Sequence, residues 1–392
     1  MPLDPSLNLN LGLPVTYDGP VLTAVRQLFK LPSFIFSISL ERPLFFTWKM
    51  VPVSIRCGLA KYGWLGYLAV HKKLIGKATA LHPSLSHEYA ALTTLMWSAR
   101  LIPMSLYRMR FGLNQIECNF PPDKSLRKEK ISERNGAVRG IYIHSQQNVS
   151  DEKDRKVLFW LYGGAFLAGD CVGNLGLAES VAKAVNCDVY LAEYTLFPEG
   201  SIIDASKDVE ECYTWLVEES GRVKSGDQVS VLGISSGGGV ALSLIQKMAA
   251  KPKKYQPRAA VLISPWVHYD WENLYPSLSE NAAHDLIVTQ QVFNYVLPCS
   301  PQMAGGVENR TTCSPLGKSC EGVCPTLIVC SEHEATTDED LALFDKMKKQ
   351  GVDVTLHSYK YLCHVWCLVP FLPEAQETMG KVHVWMKERV WA

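Results

Sequence analysis

Neither sign of charge predominates in this chain. Its 39 Lys and Arg residues balance 39 Asp and Glu residues, and no long basic run interrupts them, so the electrostatic footprint of a nucleic-acid partner is missing. The paired short Cys spacing of a zinc site is also missing. Twelve cysteines are scattered, mostly through apolar contexts such as Cys187, Cys330 and Cys363, and read as reduced core thiols. Cys313, Cys320 and Cys324 cluster without a matching second pair, so no metal and no cofactor is expected. The longest aromatic stretch, residues 31–48, is broken by Glu41, Arg42 and Pro43 into a run of about ten residues, short of the ~20 that cross a bilayer. The start Met-Pro-Leu-Asp has no basic end, apolar core or small-residue cleavage site. Neither a signal peptide nor a transmembrane helix is expected, and the expected location is cytoplasmic. Segment 31–48 has two places to go, a hydrophobic lid or a peripheral position at a membrane surface, and the lid is the simpler one.

What is present is an ordinary globular composition, 47% hydrophobic and 20% charged over 392 residues, long enough for one large domain with a lid. From residue 137 onward short β-branched runs alternate with helical patterns, which predicts a mostly parallel, doubly wound α/β sheet. The expected strands are Val138–His144, Val157–Tyr162, Asp188–Tyr194, Gln228–Gly233, Ala259–Pro265, Pro325–Ser331 and Val354–Tyr361. The expected helices are Leu175–Val185, Ile203–Glu218, Ser236–Ala249, Glu339–Gln350 and Glu374–Arg389. The first 130 residues differ, being rich in aromatics and Leu with helical spacing at Leu22–Phe29, Leu44–Leu59 and Tyr89–Arg110. The mixed charges of Asp123–Arg134 read as a solvated surface segment or linker. The division expected is therefore a helical cap over residues 1–130 and a catalytic domain over 131–392, with a cap insertion at about 271–322. Both cap parts can reach the strand C-terminal edge, where open α/β sheets bind ligands.

Residues 233–237 read Gly-Ile-Ser-Ser-Gly, directly after the apolar run Val229–Leu232 and directly before a helix. A side chain thrown out at the tip of so tight a strand-to-helix turn has a strained backbone, and the residues two before and two after it have no room for a Cβ. Gly233 and Gly237 meet that need for Ser235, making it the candidate nucleophile. They do not meet it for Ser236, flanked by Ile234 and Gly238. The N–H of Ser236, at the first turn of the next helix, suits the stabilisation of developing negative charge.

A nucleophilic serine needs a base, and the base needs a carboxylate that fixes its tautomer. On sheets built around such an elbow the acid and then the base follow in chain order. His364 sits just after the last expected strand, at a strand-to-helix loop. His357 falls within that strand, and His333 is too close to the acid turn. The turn after Pro325–Ser331 offers Glu332, Glu334 and Asp338. Glu334 is the first choice of acid and Asp338 the alternative, since Asp338 also suits a helix N-cap. After Val157–Trp160 the pair Gly163-Gly164 can turn main-chain N–H groups toward a reacting carbonyl, completing an oxyanion hole with Ser236.

Taken together, these segments resemble the hormone-sensitive-lipase-like branch of the α/β-hydrolases, carboxylesterases that include arylacetamide deacetylases and fungal steryl acetyl hydrolases. The resemblance covers roughly residues 137–392. The family's His-Gly-Gly-Gly-Phe has its counterpart in Tyr162-Gly163-Gly164-Ala165-Phe166. Its Asp-Tyr-Arg-Leu-Ala-Pro-Glu is similar to Glu193-Tyr194-Thr195-Leu196-Phe197-Pro198-Glu199, and its elbow to Gly233–Gly238. Ser264-Pro265-Trp266 and His364-Val365-Trp366 also resemble family turns. The resemblance implies an α/β-hydrolase fold with Ser235, Glu334 and His364 as nucleophile, acid and base, and Gly163, Gly164 and Ser236 as oxyanion donors. Tyr162, Ala165 and Glu334 depart from the pattern, standing where the family has His, Gly and Asp. Because the hole uses main-chain donors, the first two departures bear on loop orientation and substrate range.

The function expected is hydrolysis of a lipophilic small-molecule ester, acetyl among the acyl groups, through an acyl-enzyme. A tailoring or acyl-transferring enzyme of a fungal secondary-metabolite pathway is the alternative. A non-catalytic ligand receptor is a third reading, opposed by the retained His364.

Overall fold

The computed structural model describes residues 51–99, 105–114, 120, 123–145, 155–270 and 272–390. The expected helix at Leu22–Phe29 and the aromatic segment 31–48 lie outside them. Eight strands form one sheet: β1 (Arg127–Glu133), β2 (Val138–His144), β3 (Val157–Leu161), β4 (Asp188–Ala192), β5 (Val229–Ile234), β6 (Ala259–Ile263), β7 (Thr326–Ser331) and β8 (Val354–Tyr359). Their spatial order is β1-β2-β4-β3-β5-β6-β7-β8. The β1/β2 and β2/β4 pairs are antiparallel, and every pair from β4/β3 to β7/β8 is parallel. Every residue of β3 to β7 is buried, as continuous apolar runs covered on both faces by crossover helices must be. The expected parallel α/β sheet is therefore present, with most strand ends within one or two residues of those read from the pattern.

Two of the helices that complete the sheet start on a side-chain cap. The helix Cys171–Val185 has Asp170 as N-cap, accepting from Gly173 N at 2.6 Å. The helix Ile202–Glu218 opens on a capping box between Ser201 and Asp204. Ser236–Ala249, Thr337–Lys349 and Pro373–Trp385 follow β5, β7 and β8.

One expectation is corrected here. Residues 127–133, read as a solvated surface segment or linker, do lie at the surface but as an edge strand, and β1 crosses the boundary drawn at 130. In Arg-Lys-Glu-Lys-Ile-Ser-Glu only Ile131 is buried, so there is no apolar alternation to read. Charged side chains are what keeps such an edge from pairing with another chain.

Ahead of the sheet lie α1 (Val53–Leu74), α2 (His87–Ala99) and α3 (Leu106–Asn114). The helical spacing read at Tyr89–Arg110 falls in α2 and α3. Two of these helices are fastened to the segments that follow the strands. Glu374 accepts from the N–H (2.6 Å) and hydroxyl (2.9 Å) of Ser86 at the start of α2. Arg110 of α3 forks onto both oxygens of Glu199 at 2.8 and 2.6 Å and donates to the carbonyl of Leu167 at 2.8 Å. The segment between β6 and β7 carries only short helices, among them Pro276–Glu280 and Gln290–Val296.

Candidate active site

Ser235 stands alone between the last residue of β5 and the first of the helix Ser236–Ala249, with φ 53° and ψ −123°. A non-glycine residue adopts that conformation only when its surroundings impose it. Here Ser235 N donates to Ile263 O at 2.9 Å, and Ser235 O accepts from Gly238 N at 2.8 Å and Trp266 N at 3.0 Å. A Cβ on Gly237 would land on the carbonyls of Leu161 and Tyr162, and one on Gly233 would meet Gly237 and Ala241. The tight turn thus needs both glycines.

His364 follows β8 and is buried. Its Nε2 lies 2.8 Å from Ser235 Oγ and its Nδ1 2.8 Å from Glu334 Oε2. Glu334, fully buried, takes the N–H of Ser331 on its other oxygen at 2.7 Å. Burial pulls the His364 imidazole down, but the hydrogen bond and charge of Glu334, with Asp285 behind, outweigh it and leave the pKa above its ordinary value.

Asp338, the alternative acid, is elsewhere: it accepts from Ser277 N at 2.9 Å. One helical turn separates it from Glu334, so it faces the short helix Pro276–Glu280 while Glu334 faces His364. Glu332 is exposed, 3.8 Å from Lys360. His333 accepts from Tyr361 N at 3.1 Å, and His357 lies within β8.

Two further carboxyls are buried on the same turn. Glu339 accepts from Val267 N at 2.8 Å and His268 N at 2.7 Å, and burial pushes it up to about 8. Burial and the neighbouring Glu334 and Glu339 hold Asp340 well above the usual carboxylate range. Burial raises Glu334 as well, but the hydrogen bond and charge of His364 and the N–H of Ser331 oppose that rise, and it is the carboxylate in contact with His364. Cys330, Glu334 and Asp340 are the group among the described residues whose donor atoms converge to within 4.8 Å. They suit a metal poorly: burial also pushes the Cys330 thiol up, and Glu334 is already taken by His364.

The turn after β3 wraps the serine from the other side. Gly163 packs so closely that an added Cβ would sit 3.0 Å from Ser235 Cβ. Gly164, at φ 142°, accepts from Leu167 N and Ala168 N, both at 3.0 Å. Ser236 is buried at the helix N-terminus, its Oγ 3.4 Å from Phe166 N. Gly163 and Ser236 thus border Ser235, Gly164 follows in the same turn, and Ala165, at φ 56°, lines the cavity beside Ser235.

That cavity, about 50 Å³, is lined by Ala165, Ser235, Trp266, Val292, Thr336 and His364, with other apolar side chains of the 271–322 segment. The same segment supplies a residue that sequence reasoning missed, Asp285. Its buried carboxylate accepts from Ile287 N at 2.9 Å, Ala335 N at 3.0 Å and His364 N at 3.2 Å. Thr336 is the other, its hydroxyl 3.4 Å from His364 Nδ1 and 3.2 Å from Asp340. Neither stands in a motif, and only the fold brings them to the base.

A sequence model described as the alpha/beta hydrolase fold family matches residues 158–368, which hold all of these site residues, Asp285 and Val292 of the 271–322 segment included. The chain belongs to the alpha/beta hydrolase fold family. Within it the chain falls in the hormone-sensitive-lipase-like branch and is a serine hydrolase. It is 23% identical over 284 residues to an esterase of Acinetobacter venetianus, covering 70% of this chain and 86% of that protein. With the ethyl acetate hydrolase of Pseudomonas putida it shares 26% identity over 201 residues, 51% of this chain and 62% of the relative. Among solved structures of the alpha/beta hydrolase fold, a bacterial hormone-sensitive-lipase-family esterase superposes with a TM-score of 0.66 at 23% identity, over 76% of this chain and 96% of its own. An esterase/lipase from an uncultured bacterium does so at 0.63 and 22%, over 83% and 99%. Among the described residues no helix is long and apolar enough to cross a membrane.

Proposed function

We propose that Ser235, His364 and Glu334 are nucleophile, base and orienting acid of an ester hydrolase for lipophilic esters with a short acyl group, acetyl foremost. The observation that carries this reading is the unbroken pair of 2.8 Å contacts from Ser235 Oγ to His364 and from His364 to Glu334, opening on an apolar cavity. The apolar lining of the cavity supports a lipophilic ester, and the name of the ethyl acetate hydrolase relative agrees with an acetyl group.

In this mechanism His364 Nε2 takes the proton of Ser235 Oγ as the oxygen attacks the acyl carbon. Glu334 holds Nδ1–H and stabilises the imidazolium without itself taking the proton. Main-chain N–H groups of Gly163, Gly164 and Ser236 hold the oxyanion, the last with the help of the positive end of its helix. His364 then returns the proton to the leaving alcohol, and a water deprotonated by the same nitrogen releases the acid and restores Ser235. The N-terminal helices and the 271–322 segment serve as the cap that excludes bulk water from these steps.

Ser235→Ala tests the assignment. Hydrolysis of p-nitrophenyl acetate drops about 10⁶-fold, and labelling by a fluorophosphonate probe disappears. Labelling that persisted in a folded variant would remove Ser235 from the role.

A further inference from the structure

The mechanism makes no use of the outer face of α1. This helix is 22 residues long, about 33 Å. One side is covered: Tyr67 donates to Ala91 O at 3.0 Å, His71 Nε2 meets Thr94 Oγ1 at 2.8 Å, and Trp64 packs on Phe371 with ring centroids 4.3 Å apart. The opposite side is apolar too. Ile55, Leu59, Tyr62 and Val70 recur at helical spacing and are 52%, 56%, 73% and 57% exposed, and Leu74 at the C-terminal end is 74% exposed. A helix apolar all round is normally buried all round, and an exposed stripe of this length marks a surface that something else covers.

Charge identifies the occupant. Residues 43–87 contain no Asp or Glu, whereas Lys61, Lys72, Lys73 and Lys77 are all exposed beside or at the end of the stripe. A second copy packed face to face would bring this positive charge together with no Asp or Glu from residues 43–87 to offset it. A surface that offers an apolar layer beneath a negative one matches both features at once.

We infer that α1 docks this protein on the surface of an anionic phospholipid bilayer, its Ile55–Leu74 stripe entering the headgroup boundary and its lysines meeting lipid phosphates and carboxylates. The helix lies in the plane of the interface and does not cross it. The docking face does not depend on the roles of Ser235, His364 and Glu334.

The test uses the full chain in co-sedimentation with vesicles of phosphatidylcholine alone or of phosphatidylcholine mixed with phosphatidylserine. Binding is expected to the mixed vesicles and to weaken with salt. Lys72→Gln and Lys73→Gln should each lower the partition coefficient about five-fold, and Leu59→Gln with Tyr62→Gln should abolish binding. All these variants should keep the wild-type rate on a water-soluble ester, which shows that they fold. Absence of binding by the wild type overturns the inference. So does binding that is equal on neutral vesicles or indifferent to the substitutions, and so does a concentration-dependent dimer that the Leu59 and Tyr62 changes dissolve.

Discussion

The backbone N–H of His364 donates to the carboxylate of Asp285 at 3.2 Å, so the loop that carries the base is tied to the segment that lines the cavity. Asp285 also takes the N–H groups of Ile287, Val288 and Ala335 at 2.9, 3.2 and 3.0 Å. One carboxylate thereby sets the cap segment, the acid turn and the base loop against one another.

Asp285→Ala leaves these buried donors without an acceptor, at about 1–3 kcal/mol for each one that no water reaches. Urea unfolding should show a loss of about 3 kcal/mol or more, and the surviving folded enzyme should show a lower kcat. Asp285→Asn, which retains one acceptor oxygen, should lose less of both.

The pH profile follows from the base. His364 accepts a proton only when neutral, and its pKa lies above the ordinary 6.5 because Glu334 outweighs burial. The rate should therefore fall as pH drops through a midpoint above 6.5. Glu334→Gln removes the charge and leaves burial in control, so the midpoint should move below the ordinary value while kcat falls about 10³–10⁴-fold. A variant whose rate fell without any shift of the midpoint would place Glu334 outside direct contact with the base.

Gly237→Ala tests the elbow as a piece of backbone. The new methyl meets the carbonyls of Leu161 and Tyr162, main-chain atoms that cannot swing aside. The expected destabilisation is at the upper end of ~1–3 kcal/mol or beyond, with activity lost together with the folded population. Thermal melts alongside rates should show the two falling together.

Val292→Phe reduces the cavity from the cap side without touching Ser235 or His364. The ratio of kcat/KM for p-nitrophenyl butanoate to that for the acetate should fall about ten-fold or more, the effect of methylene groups that no longer fit. An unchanged ratio would put the acyl group elsewhere.

Much of this molecule was legible in the chain because its signals are local. Continuous apolar runs mark β3 to β7 whatever surrounds them, since a strand buried on both faces needs every side chain apolar. Gly233 and Gly237 mark the turn at Ser235 because the crowding they relieve arises within a few residues of it. His364 could be singled out because strand order alone puts it beyond β8. The β1 strand escaped because an edge strand with a single buried residue carries no alternation. Asp285 escaped because it sits in an irregular segment, 79 residues from the His364 that it steadies.

The sequence by itself determined strands β2 to β8, the place of the serine and the order in which the acid turn and the base loop follow it, because each is written in periodicity and short-range sterics. Only the tertiary structure decided which carboxylate meets His364. Glu334 and Asp338 are one helical turn apart and chemically alike, but β7 and β8 lie side by side and aim the first at the imidazole. The second is left to hold Ser277 of the cap segment.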